Sequence, residues 1–267
     1  MVDMNGVLEE VEFLARSEHR VAVLRLLADE SHTRGNLVDA TGASQATLSR
    51  ILRDFEDRSW IQRGDGTYSA TATGCLIAYG FTDLLNVLTT ERELRDVVEH
   101  LPTEELRFDL RHLTDATVTL PTGTRPDAPV GRLLELERNA DRVRAFSHAF
   151  NERSLSLVTQ RVHDEELVFE GVFSCDAIDA LATDPGLRDR LVNLLDADGA
   201  TVRVHEQTVP LAVTVAGRTV HLLVRDANGV LRASIDTDDS AVRSWAIDAF
   251  DGYWDRGRDL NRIDLFE

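Results

Sequence analysis

A chain of 267 residues, 43% hydrophobic and 28% charged, is long enough for two soluble domains that each bury a core. Its two cysteines, Cys75 and Cys175, stand far apart and in no metal-ligand spacing, which excludes a disulfide framework and a structural zinc site. A net charge of −18, with 29 basic residues that are all arginine, excludes a surface attractive to nucleic acid everywhere, so an anionic partner must meet a local exception. The start of the chain, MVDMNGVLEEVEF, carries acids and no basic n-region, so no signal peptide of the usual kind is expected. The most apolar run, Cys75–Leu88, is short for a bilayer and contains Asp83, so no membrane partner is expected and the expected location is cytoplasmic.

Val7–Ala15 and Glu18–Asp29 read as two apolar-faced helices. A short helix Arg34–Ala40 follows, then a turn through Gly42, then Ser44 as N-cap of a helix Gln45–Asp57. In that helix Leu48, Leu52 and Phe55 fall at i, i+4 and i+7 and must face inward, leaving Gln45, Ala46, Ser49, Arg50 and Arg53 outward. With Arg34, Ser44 and Thr47 beside the helix start, these are side chains of the kinds that reach base edges and phosphates. Trp60–Arg63 and Thr67–Ser69 read as strands around Gly64-Asp65-Gly66, a hairpin that adds Arg63 to the set. Helix, turn, helix, hairpin is the order of a winged helix-turn-helix, here spanning 1–72. Between Thr33 and Gly66 five arginines (34, 50, 53, 58, 63) balance five acids (39, 54, 56, 57, 65), a neutral island in an acidic chain.

The next segment, 73–101, reads as one linker helix from Thr73 to His100 with more apolar positions than one small domain covers. It either pairs with a twofold mate, giving a homodimer, or packs on its own chain. From 102 to 267 the rhythm is α/β: helix Gly131–Ala140, strand Val143–Ser147, helix Asn151–Arg161, strand Leu167–Ser174, then helices Asp176–Ala182 and Gly186–Asp196. Strands Thr201–His205, Leu211–Val215, Thr219–Val224 and Val230–Ile235 follow, the last three a meander, and the amphipathic helix Ser240–Arg258 closes the chain. The fold class expected is α+β: a winged helix-turn-helix, a long linker or dimerisation helix, and a C-terminal α/β domain ending in an antiparallel meander and a helix.

The first unit resembles the winged helix-turn-helix of archaeal transcription regulators. The stretches APVGRLLELERNADRVRAFSHAF, VPLAVTVAGRTVHLLVRDANGVLRASI and DDSAVRSWAIDAFDGYWDRGRDL resemble the effector domain of the archaeal methanogenesis-regulator-type family. The absence of lysine and the excess of aspartate over glutamate resemble proteins of salt-accumulating halophiles. These resemblances imply a sequence-specific regulator that binds double-stranded DNA, with the helix 45–57 in the major groove and the wing 60–69 on the flanking backbone. They also imply a second domain able to sense a small-molecule effector.

The residues give little sign of catalysis. Glu165-Glu166 and Asp238-Asp239 are adjacent in sequence and point apart on a strand, a poor acid/base pair. No nucleophile elbow, phosphate loop or dinucleotide fingerprint occurs, and the His-x-Lys motif of phospholipase-D-like domains is impossible without lysine. No enzyme activity, cofactor or metal is expected. For sensing, His148, His163, His205 and His221 show no metal-ligand spacing, and His148, just past a strand's carboxyl end, is the candidate ligand-binding residue. Cys175, ahead of a helix, and Cys75 are the candidate redox sensors. The rival readings are a winged-helix protein-interaction adaptor that leaves DNA alone, and a metal- or redox-sensing regulator.

Overall fold

The computed structural model describes residues 3–266, and the chain divides into two compact units, one ending at Leu88 and one beginning at Thr89. The first holds α1 (Met4–Ala15), α2 (Glu18–Asp29), α3 (Arg34–Thr41) and α4 (Gln45–Asp57), with β1 (His32–Thr33), β2 (Ile61–Gly64) and β3 (Thr67–Ala70) in an antiparallel sheet ordered β1-β3-β2. Helix α4 forms because Ser44 caps it, accepting from the Thr47 N–H at 3.1 Å, and because Leu48, Ile51, Leu52 and Phe55 bury one face. Phe55 packs edge-on to Phe13 and tilted on Trp60, and the guanidiniums of Arg20 and Arg58 lie 3.9 and 3.8 Å from the Phe13 ring. Gly64 pairs with Thr67, so Asp65 (φ 49) and Gly66 (φ 79) alone make the wing tip. Two left-handed residues in a two-residue loop are a type I′ turn.

Helix α5 (Ala72–Leu94) begins hard against this sheet. A Cβ on Gly74 would stand 1.8 Å from the Trp60 carbonyl oxygen, so only glycine allows the approach. The helix stops at Leu94 rather than His100, a correction to the reading of 73–101. Leu94, Val97 and Leu101 are buried together in the second unit's core, and a 3₁₀ turn at Val98–His100 turns the chain inward there. By length and hydropathy (1.2) α5 passes as a bilayer span, with 11% of its apolar window buried, which the shorter run Cys75–Leu88 did not suggest. Its first turns are docked, however: Ala78 is buried, and Cys75 and Tyr79 reach the Ala28 carbonyl. From Tyr79 to Leu88 the helix runs about 15 Å, half a hydrocarbon core, and carries Asp83.

The second unit is one mixed sheet between two helical layers. Its strands are β4 (Thr117–Thr119), β5 (Arg142–Ser147), β6 (Val168–Ser174), β7 (Ala200–His205), β8 (Ala212–Ala216), β9 (Thr219–Arg225), β10 (Leu231–Thr237) and β11 (Arg258–Asp259). They lie in the order β11-β7-β6-β5-β8-β9-β10-β4. Strands β5, β6 and β7 are parallel, while β8, β9 and β10 form the expected meander, joined antiparallel to β5 through β8. Period-two alternation sorts the core: Val143 and Ala145 face α7 (Glu152–His163), α8 (Cys175–Ala182) and α9 (Pro185–Leu195). Phe146, Val213 and Leu222 face Trp245 and Phe250 of α10 (Ser240–Arg256). Helix α6 (Ala128–Asn139) packs beside α7 and against β9 and β10. The edge strands β4 and β11, like β1, escape a sequence reading because two or three residues show no alternation.

Candidate nucleic-acid interface and a buried polar cavity

Every residue of the sequence-derived set is exposed or half-buried: Arg34, Ser44, Gln45, Ala46, Arg50, Arg53 and Arg63 exposed, Thr47 and Ser49 half-buried. The structure separates them by task. Ser44 and Thr47 join hydroxyls at 2.9 Å in the cap, so they hold the helix start. Arg34 crosses from α3, donating Nε to Gln45 Oε1 at 3.1 Å and Nη2 to the Gln45 carbonyl at 3.0 Å and to Ser49 Oγ. Gln45 and Ser49 are therefore held in place before any partner arrives.

Arg50, Arg53 and Arg63 differ from other arginines of this unit. Arg16, Arg20 and Arg58 pair with Glu12, Asp54 and Glu10. Among the described residues neither Arg50 nor Arg53 nor Arg63 has a salt-bridge partner, and Arg63 sits 5.5 Å from the Tyr68 ring on the wing. Asp54, four residues on from Arg50, is engaged by Arg20 at 3.5 Å. Two unpaired guanidiniums on the helix and one on the wing make a cationic face that the net charge conceals.

In the second unit, His148 is half-buried with Nδ1 unpartnered; burial, then the nearby Arg225 guanidinium, hold its imidazole below the usual value. Its neighbours Ser147 and Ala149 line a cavity of about 60 Å³ at the carboxyl end of β5, and His148 is not among the lining residues. On that cavity stand Glu137 and His221, 3% and 1% exposed. His221 Nδ1 lies 2.5 Å from Asp236 Oδ1, and Arg132 Nε donates to Asp236 Oδ2 at 2.5 Å. Burial raises the Asp236 pKa, but hydrogen bonds from His221 and Arg132 outweigh it and hold the carboxyl below its usual range. Burial pushes the Glu137 carboxyl up to about 7 against the Ser154 hydrogen bond. On the opposite face of the sheet a groove of about 490 Å³ runs along α10 past Phe146, Trp245 and Tyr253.

Glu137, Asp236 and Arg225 were not singled out in the sequence, and His221 only as one of four histidines. Alternation gave no signal: His221 falls on the face of Thr219, Leu223 and Arg225 and Asp236 on that of Arg232 and Ser234, and both are buried because α6 covers that face. Among the described residues no three His, Cys, Asp or Glu side chains gather to hold a metal. His205 and His163 are turned to the Gln207 and Thr159 carbonyls, and Asp239 caps α10 while meeting His112 at 3.1 Å. Cys75 and Cys175 are both half-buried free thiols, Cys175 being the first residue of α8.

Residues 8–93 match the family model of the HVO_A0261 N-terminal domain, and residues 126–256 match that of the methanogenesis regulatory protein FilR1, middle domain. Comparison with curated proteins gives no match. Among solved structures, TrmBL2, an archaeal chromatin protein described with a novel mode of DNA binding, is similar at 13% identity and a TM-score of 0.44, over 94% of this chain and 98% of that one. A phospholipase D family member, Nuc from Salmonella typhimurium, is similar at 13% identity and a TM-score of 0.43, over 55% of this chain and 99% of that one. NucT from Helicobacter pylori is similar at 9% identity and a TM-score of 0.41, over 54% and 98%.

Proposed function

We propose that this chain, which carries the two domains of an archaeal-type regulator in series, is a homodimeric, sequence-specific DNA-binding transcriptional regulator of the cytoplasm, without catalytic activity. The observation that carries the reading is the pair Arg50 and Arg53, exposed and unpaired on a helix whose first turn is fixed by Ser44 and Arg34. Neither carries an acidic partner of the kind that holds Arg16, Arg20 and Arg58, so a phosphate or a guanine edge can take it. In this reading α4 enters the major groove and Arg63 on the wing meets the flanking backbone. The composition points to a halophilic setting, where short Debye lengths weaken repulsion between DNA and the acidic remainder.

The dimer follows from α5, where Leu76, Tyr79, Leu84, Leu85 and Leu88 are 39–71% exposed. Such a stripe matches a twofold mate better than water. Helix α5 holds residues of both units, so an effector bound in the second has one covalent path to the first. Binding of genomic DNA fragments at molar potassium chloride tests the reading. Wild type should retain a subset of fragments, and Arg50→Ala/Arg53→Ala should lose them with its fold intact. Fragment retention unchanged in that variant would remove α4 as the reading element, and no retention at any salt would favour the adaptor. Leu84→Asp/Leu88→Asp should sediment as a folded monomer with weakened DNA binding, whereas a wild-type monomer in high salt overturns the dimer.

A further inference from the structure

The cavity at the carboxyl end of β5 holds three polar groups, each fixed at one atom and unpartnered at another. Glu137 Oε1 accepts from Ser154 Oγ at 2.6 Å while Oε2 has no partner. His221 is held through Nδ1 by Asp236 while Nε2 has none. Arg225 donates from Nη1 to the Gly229 carbonyl at 2.9 Å while Nε has none. Buried polar atoms in folded proteins nearly always find partners. Three such groups on one cavity, from α6 and β9, mark a site for a molecule that supplies them.

The chemistry of the three atoms restricts that molecule. Arg225 is half-buried and burial alone lowers its pKa, no carboxylate being near; the adjacent Asp226 is engaged by Arg232 at 2.6 Å. An anion is what this guanidinium lacks. Asp236 engages Nδ1 of His221, which leaves Nε2 as the unpartnered ring nitrogen, to be met by a group that can both donate and accept, such as a hydroxyl. Glu137, buried and raised to about 7, carries a proton it can donate. The volume of about 60 Å³ exceeds what one water needs and is less than half the ~150 Å³ that encloses benzene, limiting the occupant to a few heavy atoms. The stacked rings of Phe150 and Phe173, 4.0 Å between centroids, make part of the wall apolar, beside the neutral polar side chains of Ser147, Asn151 and Thr214.

We propose that this cavity binds a short 2-hydroxycarboxylate of glycolate size, its carboxylate on Arg225 and Glu137 Oε2, its hydroxyl on His221 Nε2. As a binding site it stands on the cavity alone; as the effector site it rests on the regulator reading above. Binding takes up a proton wherever Glu137 is ionised in the free protein, because two carboxylates side by side repel. The other groups around Glu137 do not remove this dependence. Arg161 from α7 uses Nη1 on the Glu137 carbonyl rather than its carboxyl, Ser154 is a neutral donor, Arg138 adds a weaker attraction, and Asn151 on the cavity wall is neutral.

Isothermal calorimetry on the full-length protein, titrated with glycolate, acetate and ethylene glycol, tests the assignment. Glycolate should bind about tenfold more tightly than acetate, the difference one hydrogen bond makes, and ethylene glycol should not bind. Glycolate affinity should fall as pH rises through 7 in wild type and stay level in Glu137→Gln. Arg225→Met should abolish binding in a protein whose circular dichroism is unchanged, and His221→Phe should erase the preference for glycolate over acetate. No heat from glycolate with folded wild type, or equal heat from Arg225→Met, overturns the site. DNA affinity is measured separately: if glycolate binds and leaves it unchanged, the effector role fails and the site stands, whereas loss of all DNA binding without glycolate fails the regulator reading instead.

Discussion

The unpaired polar groups of the first unit are exposed and those of the second are interior. In the first, Arg50, Arg53 and Arg63 stand in water, where an unpartnered guanidinium costs nothing. In the second, Glu137 and His221 hold unpartnered atoms in the interior, where each costs about 1–3 kcal/mol. The surface groups therefore identify a partner only when set against the paired arginines around them. The interior groups identify an occupant by their cost alone. A docking face and a sensing cavity leave different signatures.

The comparison can be tested from the core outward. Phe55→Ala should cost about 3–5 kcal/mol, read as loss of the first unit's transition in a urea melt, since Phe55 is wholly buried on Phe13 and Trp60. If the first unit survives that loss, its outward arginines are not positioned by the α4 core. The interior side is tested by pH. The folded carboxyl of Glu137 titrates at about 7 against an ordinary 4.5, so the folded state holds a proton the unfolded chain gives up. That contribution is whole below about 4.5 and is lost as pH rises to 7, an upper bound of about 3 kcal/mol. Subtracting the Glu137→Gln stability profile from that of wild type should isolate the loss, and a flat difference would mean the carboxyl is solvated.

Smaller effects sharpen the surface side. Ser44→Ala should cost about 1 kcal/mol of stability through the lost cap, with DNA affinity reduced because Gln45 and Ser49 lose a fixed helix start. Arg63→Ala should leave stability unchanged, weaken all DNA sequences alike, and lower the slope of log affinity against log salt by about 1. A sequence-dependent loss would move Arg63 from backbone to base.

Much of this was legible in the sequence because two periodicities carry it. The Leu48–Leu52–Phe55 spacing and the Asp65-Gly66 turn name α4 and the wing to within a residue. Strands β5 to β10 follow from alternation. What stayed hidden depends on distance along the chain. Leu94 ends α5 early because it meets a core that also draws on residues as distant as Phe250. Arg132 finds Asp236 across 104 residues, and no local pattern announces that pairing. His148 was picked from its place at a strand end, but side-chain direction puts Ser147 and Ala149, not His148, on the cavity wall.

The eight-stranded sheet also ends in a particular way. Its outermost members are β4, three residues recruited from before α6, and β11, two residues recruited from after α10. Long bare edges are templates for another chain's backbone, and short edge strands are a known guard against it. Here Arg258 and Asp259 lie along β7, with Arg203 joined to Asp259 at 2.8 Å. A chain cut before Arg258 would keep its core strands and bare the six-residue edge Ala200–His205. Besides the core lost with the buried Leu260 and Leu265, its defect would be intermolecular, visible as concentration-dependent aggregation.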